Sequence, residues 1–211
     1  MTKKERALIT VQRLEEEYPN AVCSLNYTTP YEMLIATQLS AQCTDARVNI
    51  VTEKLFKRYK TVEDYANADY DELCEIIHSA GMYKNKASNI IACCQRLLEV
   101  YGGEVPDTME ELLTLAGTGR KTANLVLGDV FGKPAIVVDT HCIRLTNRIG
   151  LTTNKDPVKI EADLKKIIPP EKSNNFCHRL VMHGRAVCSA RKAKCDECCL
   201  KDVCKSAGKC G

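Results

Sequence analysis

Four cysteines close to the C-terminus have the spacing of a metal site. Cys188, Cys195, Cys198 and Cys204 are separated by six, two and five residues. Thiolates bind zinc and iron, and four of them in one short loop can enclose one metal centre. We therefore predict a metal centre here. The spacing does not distinguish a zinc ion from an iron–sulfur cluster. Because Cys198 and Cys199 are adjacent, it also leaves open which of the two is the third ligand.

The cysteine content as a whole favours reduced thiols over disulfides. The chain has 13 cysteines in 211 residues and no signal-peptide pattern at its N-terminus, which favours metal binding and free thiols. Free cysteine packs well in protein cores. We expect seven cysteines to be buried in this way, namely Cys23, Cys43, Cys74, Cys93, Cys94, Cys142 and Cys177.

A glycine-rich turn lies near the middle of the chain, at Gly117-Thr-Gly119. The pattern predicts a helix capped by Asp107 and ending at Leu115, then the turn, then a second helix from Thr122 to Phe131. Two glycines at this spacing allow positive φ angles and close approach of backbone N–H groups to a phosphate, beside the positive end of a helix dipole. A simple corner between two helices explains the same pattern.

Two cations follow this turn, Arg120 and Lys121. A cation in the first turn of a helix is disfavoured by the helix dipole, which favours the neutral amine that nucleophilic attack requires. Lys121 is therefore a candidate nucleophile. The alternative is an ordinary solvated lysine.

A carboxylate ends the apolar segment Val137-Val138-Asp139 and precedes Thr140-His141. Asp139 can cap a helix that runs to Arg148, since aspartate is a favoured N-cap residue. As a cap it needs no catalytic role.

The composition is that of a packed globular protein, with 45% hydrophobic and 27% charged residues. The net charge of +3 says little, but seven basic and only three acidic residues lie between Arg185 and Lys209, which favours a polyanionic partner. The N-terminus has no apolar signal segment, and no stretch approaches the roughly 18 apolar residues of a membrane span. We expect a cytoplasmic protein without a membrane partner.

Helical periodicity dominates the chain. Apolar residues recur at intervals of three and four between Lys84 and Tyr101, and glycine and proline residues separate this segment from others like it. The run Ala135–Val138 resembles a strand but is isolated, so we expect a buried extended connector. The prediction is an all-α fold of helices with unequal lengths.

Three motifs in this order resemble the endonuclease III family of helix-hairpin-helix DNA glycosylases. They are Leu115 to Asn124, Val138-Asp-Thr-His141 and the four spaced cysteines. The resemblance covers nearly the whole chain and includes Leu39-Ser-Ala-Gln42-Cys-Thr-Asp45, Gly81-Met-Tyr-Lys-Asn-Lys86 and His183-Gly-Arg185. Ala116 and Thr118 replace the proline and valine that are usual in the hairpin, which should loosen the turn but retain its two glycines.

The resemblance implies a bifunctional glycosylase and AP lyase of base excision repair that acts on oxidised pyrimidines. Lys121 is then the nucleophile that attacks the sugar C1′ and forms a Schiff base, and Asp139 is its partner. The DNA-binding residues implied are Gln42, Met82, Gly117, Gly119, Arg120, His141, Arg191, Lys192 and Lys194. Gln42 and Met82 would fill the gap left by a flipped nucleotide.

The resemblance also implies a cofactor, a partner and a domain organisation. The cofactor is a [4Fe-4S] cluster held by Cys188, Cys195, Cys198 and Cys204, and the partner is duplex DNA with damaged bases or abasic sites, which holds the protein at the nucleoid. We expect a monomer with a six-helix domain at residues 22–132 and a cluster domain at residues 1–21 and 133–211, with the DNA cleft between them.

Two other functions stay open from the sequence. One is a monofunctional glycosylase that uses water, as adenine DNA glycosylases do; Lys121 and the absence of an additional C-terminal domain argue against it. The other is a non-catalytic iron–sulfur DNA-binding protein, against which the presence of both Lys121 and Asp139 argues.

Overall fold

The computed structural model describes residues 1–209, and this range contains eleven α-helices and three short 3₁₀-helices. The α-helices are α1 (Lys3–Glu17), α2 (Pro30–Leu39), α3 (Asp45–Arg58), α4 (Val62–Ala66), α5 (Tyr70–Ile77), α6 (Tyr83–Tyr101), α7 (Met109–Leu112), α8 (Arg120–Asp129), α9 (Thr140–Ile149), α10 (Pro157–Lys165) and α11 (Ser173–Ala186). The 3₁₀-helices are His78–Ala80, Pro170–Lys172 and Cys195–Glu197. Residues 1–209 contain no β-strand, only an isolated bridge between Cys188 and Ala193. The all-α prediction is confirmed.

Side-chain caps explain where many helices begin. The hydroxyl of Thr29 accepts a hydrogen bond from the backbone N–H of Glu32, and the Glu32 carboxylate accepts one from the backbone N–H of Thr29. This reciprocal capping box satisfies N–H groups that have no partner inside the helix. The same arrangement begins α1 at Thr2 and α4 at Thr61.

The two helices beside the glycine turn differ from the prediction. Thr108, not Asp107, caps α7, because the Thr108 hydroxyl accepts from the N–H of Glu111 at 3.3 Å. α7 ends at Leu112 instead of Leu115, since tighter i to i+3 bonds replace the helical pattern after it. The second helix, α8, begins two residues earlier than predicted and also ends two residues earlier.

The chain divides into two compact units, residues 24–132 and residues 1–23 together with the chain from Lys133 onward. The first unit contains α2 to α8. Every residue of α2 from Glu32 to Leu39 is buried, and α4 packs against α6, the longest helix, with Tyr65 fully buried. This unit has seven α-helices, one more than the six expected.

The second unit contains α1, α9, α10 and α11, and both α1 and α9 pack against α11. Leu14 and Phe176 are fully buried in its core. The guanidinium of Arg179, only 4% exposed, joins α11 to α1 through the Tyr18 carbonyl at 3.2 Å and the Glu15 carboxylate at 3.3 Å. These bonds fix the N-terminal helix to the C-terminal part of the chain.

The predicted connector between α8 and α9 is extended and buried. Ala135 and Ile136 are fully buried. The N–H of Ala135 donates to the Ser173 hydroxyl at 3.1 Å, and the N–H of Val137 donates to the Cys177 sulfur at 3.2 Å. Side chains of α11 therefore replace the strand partner that this segment lacks, because buried N–H groups need acceptors.

The cysteines expected in the core are buried at five of the seven positions. Cys23 and Cys43 are only half-buried, because each lies in a connecting segment and not on a helix. Cys210 lies outside the described residues. No helix in residues 1–209 combines the length and apolar character needed to cross a membrane.

Candidate active site and cysteine cavity

The glycine turn joins α7 to α8 and requires glycine at one of its two positions. Gly117 has a φ of +71°, and a Cβ there would lie 2.9 Å from the Asn89 Cβ and 3.1 Å from Gln38 Oε1. Gly119 is different, since its φ is −93° and a Cβ there would meet no atom within 4 Å. Only Gly117 therefore takes the positive φ that we expected, while Gly119 caps α8 beside open space.

Lys121 is exposed and lies in the first turn of α8, after Arg120. The first N–H groups of a helix have no intrahelical acceptor and carry the positive end of its dipole. An anion such as a DNA phosphate suits this end of the helix. The predicted nucleophile therefore stands beside a predicted phosphate site on one rigid element.

Gln38 braces the glycine turn, which sequence reasoning missed. Its side chain, 5% exposed, donates from Nε2 to the Ala116 carbonyl at 3.0 Å and to the Thr118 hydroxyl at 3.3 Å. Ala116 and Thr118 are the two residues that depart from the usual hairpin, and Thr118 supplies a hydroxyl that a valine would lack. These bonds offset the loosening that we expected from the loss of proline.

Asp139 caps α9, as predicted. Its Oδ1 accepts a hydrogen bond from the backbone N–H of Cys142 at 2.7 Å, and the side chain is half-buried. His141 is the second residue of α9, and its Nδ1 lies 3.1 Å from Nη2 of Arg144. A Cβ on Gly184 would collide with both of these side chains. This packing explains why the segment His183-Gly-Arg185 has glycine at its centre.

Gln42 and Met82 both occupy strained turns and both are exposed. Gln42 follows α2 with a φ of 54°, and Met82 precedes α6 with a φ of 48°. Within residues 1–209 they are the only non-glycine residues with a positive φ. Such angles cost energy in residues other than glycine and concentrate at functional sites.

The four spaced cysteines line one cavity of the second unit. Cys188, Cys195, Cys198 and Cys204 all contribute to its wall, together with apolar residues such as Leu145, Ile149 and Leu200. Cys199 is not part of this wall, and its carbonyl accepts a hydrogen bond from Arg13 at 2.9 Å. The structure therefore brings together the four cysteines of the predicted set and leaves the adjacent fifth outside.

Hydrogen-bond donors point at the sulfur atoms of this cavity. Arg148 donates to the Cys188 sulfur at 3.3 Å, and the backbone N–H of Leu200 donates to the Cys198 sulfur at 3.4 Å. Nε2 of the buried His183 lies 3.3 Å from the Cys198 sulfur, and burial lowers the pKa of His183 to about 4. Burial raises the pKa of Cys198 to about 11. Donors directed at sulfur in this way stabilise a thiolate ligand.

In residues 1–209 no group of three or more His, Cys, Asp or Glu side chains is arranged to hold one metal ion. The four cysteines nevertheless line the same cavity. Thiols are a donor set that suits zinc or iron.

The segment between Cys188 and Cys195 carries three exposed cations, Arg191, Lys192 and Lys194. It is held in place by two arginines of α9 that the sequence did not single out. Arg148 donates to the carbonyls of Ser189 at 2.7 Å and Ala190 at 3.0 Å, and Arg144 donates to the Cys188 carbonyl at 3.1 Å. Arg144 and Arg148 are four residues apart and therefore lie on one helix face. This spacing was the sequence signal that could have identified them as a pair.

Removal of the Gln38 hydrogen bonds should lower the stability of the protein measurably. Gln38→Leu conserves volume but leaves two acceptors of the turn without their donor, so the free energy of unfolding should fall by about 1–2 kcal/mol. Urea unfolding of Gln38→Leu, Thr118→Val and the double variant measures the coupling. We expect the two losses to be less than additive by about 0.5 kcal/mol or more; strictly additive losses would show that the brace does not exist in solution.

Known proteins resemble this chain over nearly its full length. Endonuclease III of Synechocystis sp. is 52% identical over 98% of this chain and 94% of its own length. Endonuclease III of Haemophilus influenzae is 44% identical over 97% of each chain. Residues 35–170 match the family model described as "HhH-GPD superfamily base excision DNA repair protein".

Solved structures agree with these relatives. A trapped endonuclease III–DNA covalent intermediate is 42% identical, with a TM-score of 0.94 over 99% of both chains. A thermostable thymine-DNA glycosylase, 24% identical with a TM-score of 0.89, shares the fold. The chain therefore belongs to the endonuclease III family, within the HhH-GPD superfamily of base excision DNA repair proteins.

Proposed function

We propose that the chain is a bifunctional DNA glycosylase and AP lyase of base excision repair. It removes oxidised pyrimidines from duplex DNA and then cleaves the strand on the 3′ side of the abasic site. The observation that carries this proposal is the exposed amine of Lys121 in the first turn of α8, directly after the glycine turn. The covalent DNA complex of a related endonuclease III supports it, because a lysine nucleophile accounts for such a bond.

Lys121 carries the chemistry in this proposal. Its neutral amine attacks C1′, and the glycosidic bond breaks so that the base leaves with the electron pair and takes up a proton. The nitrogen loses one proton, and the C1′–O bond of the sugar ring then breaks while the ring oxygen takes up a proton, which gives a protonated Schiff base. Loss of a proton from C2′ then breaks the C3′–O bond and releases the 3′ phosphate, and water finally hydrolyses the Schiff base to restore Lys121.

In this proposal Asp139 stabilises the positive charge that develops on the sugar. The N-cap bond uses its Oδ1 and fixes the carboxylate at the start of α9. We assign the other oxygen to the stabilisation of positive character at C1′ and to proton transfer during base loss. Capping and catalysis are compatible, because a rigid cap keeps the carboxylate in one orientation.

Several residues are assigned to DNA binding. The backbone of the turn at Gly117 and Gly119, with Arg120, contacts a phosphate at the N-terminus of α8. Flipping the damaged nucleotide out of the duplex costs about a few kcal/mol, and Gln42 and Met82 fill the gap that it leaves in the base stack. Four residues of the second unit, His141, Arg191, Lys192 and Lys194, contact the strand backbone. With chromosomal DNA as substrate, the protein is placed in the cytoplasm at the nucleoid.

The cavity residues Cys188, Cys195, Cys198 and Cys204 are assigned to a [4Fe-4S] cluster. Four thiols around one apolar cavity and N–H donors directed at the sulfurs of Cys188 and Cys198 fit such a group. When bound to these four residues, such a cluster would cross-link the C-terminal segment and so support the basic residues between Cys188 and Cys195.

Lys121→Gln tests the nucleophile. The amide cannot attack C1′, so release of an oxidised pyrimidine should fall by about 10³-fold or more. Borohydride should trap the wild-type protein on DNA and not the variant. The matched control is Lys54→Gln, another exposed lysine on a helix. An adduct that persists in Lys121→Gln refutes the assignment, and base release by the wild type without any adduct supports a monofunctional glycosylase instead.

Asp139→Asn separates catalysis from capping. Asparagine caps a helix about as well as aspartate, so the melting temperature should hardly change, while base release should fall by about 10²-fold or more. Asp156→Asn is the control, because Asp156 caps α10 in the same way through the N–H of Lys159 at 2.9 Å. Equal activity losses in the two variants would leave Asp139 as a cap only.

Iron analysis tests the cluster. The purified protein should be yellow-brown, with about four iron atoms per chain. Cys198→Ser should lose most of this iron, whereas Cys199→Ser should keep it, because only Cys198 lines the cavity. Stoichiometric zinc in the wild type, or the opposite behaviour of the two variants, would contradict the assignment.

A further inference from the structure

Lys86 is a lysine with an unusual position, since its side chain is buried. It lies in the first unit on α6, one turn after Met82, and is 4% exposed. Burial disfavours an ammonium group, and it lowers the pKa of Lys86 from its ordinary value. A lysine is buried in this way only when its donors are satisfied.

Three backbone carbonyls satisfy the ammonium group completely. Nζ of Lys86 donates to the carbonyls of Leu39 at 2.8 Å, Ala41 at 2.8 Å and Ala80 at 2.9 Å. An ammonium has three N–H donors and no acceptor, so this set uses every donor that it has.

The three carbonyls come from two separate turns. Leu39 is the last residue of α2, and Ala41 belongs to the turn that follows it. Ala80 ends the 3₁₀-helix that precedes Gly81. A cation at the C-terminus of α2 would be an ordinary helix cap. That explanation covers the first two carbonyls but not the third, because Ala80 belongs to the separate 3₁₀-helix that precedes α6.

Each of these turns leads into one of the two strained residues. Gln42 follows Ala41 directly, and Met82 lies two residues after Ala80; both have φ angles near +50° and both side chains are exposed. The backbone N–H of Lys86 also donates to the Met82 carbonyl at 3.1 Å. Strained backbone persists only where its surroundings hold it, and Lys86 contacts the backbone on both sides.

We propose that Lys86 is a positioning residue that fixes the Gln42 turn and the Met82 turn relative to each other for insertion into duplex DNA. The proposal rests on the proposed function of these two side chains. One buried ammonium group holds both turns in place before DNA binds, so the two side chains enter the stack together without ordering of the loops at that moment. Lys86 has no contact with the reacting sugar in this role.

The test compares duplex and single-stranded DNA. A single-stranded abasic oligonucleotide has no stack to fill, so it reports the chemistry of Lys121 without the insertion step. Lys86→Met removes the three donors and keeps the length of the side chain. We expect cleavage of a duplex with an oxidised pyrimidine to fall about 30-fold or more, and cleavage of the single strand to change less than about threefold. In Lys86→Arg, whose guanidinium retains several donors, duplex cleavage should largely recover.

A fluorescent base reports insertion directly. With 2-aminopurine opposite an abasic site, the wild type should increase fluorescence as the stack opens, and Lys86→Met should lose most of this increase. Lys84→Met, two residues earlier on the exposed surface of α6, controls for the loss of positive charge and should affect the two DNA forms alike. If Lys86→Met is unfolded, Lys86→Gln takes its place in the test. Its cleavage of duplex DNA should then fall much more than its cleavage of the single strand.

The outcomes separate a failure of this proposal from a failure of the proposed function. Equal losses on both DNA forms in a folded variant, or unchanged cleavage of duplex DNA, would overturn the positioning role of Lys86. If the wild type cleaves neither DNA form, the proposed function fails as well and the positioning role falls with it.

Discussion

The turn at Gly117 is the constraint on which the active site depends. Its positive φ and its contact with Asn89 leave no room for a Cβ, and the turn sets where α8 begins. Lys121 follows within one helical turn, so the position of the proposed nucleophile is set by backbone geometry. A nucleophile carried on a rigid element in this way pays little entropy to reach its substrate.

Polar side chains that are buried or half-buried hold exposed turns in both units. Gln38 holds the glycine turn, Lys86 holds the turns of Gln42 and Met82, and Arg148 holds the basic segment near Cys188. In each case the side chain donates to backbone carbonyls of an exposed turn. Exposed loops are mobile unless such bonds hold them, and this pattern keeps the side chains of short loops in fixed positions.

The sequence predicted the all-α class, the α9 cap at Asp139 and the buried connector, because each depends on local spacing and capping rules. It did not predict the roles of Gln38 and Lys86. Gln38 contacts residues 78 and 80 positions later in the chain, and Lys86 contacts a residue 47 positions earlier. Contacts between residues so far apart leave no pattern in the local sequence. A polar residue that is buried on a helix therefore cannot be told from an exposed one by its neighbours in the sequence. The helix before the glycine turn was predicted too long, because i to i+3 bonds replace the α-helical pattern after Leu112, and the sequence does not show where this change occurs.

Peptide mapping of the wild-type protein tests the central claim about Lys121 most directly. Borohydride reduction in the presence of abasic DNA, followed by nuclease and protease digestion and mass spectrometry, identifies the residue that carries the sugar remnant. We predict a single modified peptide with the remnant on Lys121. A remnant on another lysine or on the N-terminal amine would contradict the assignment of the nucleophile to the start of α8.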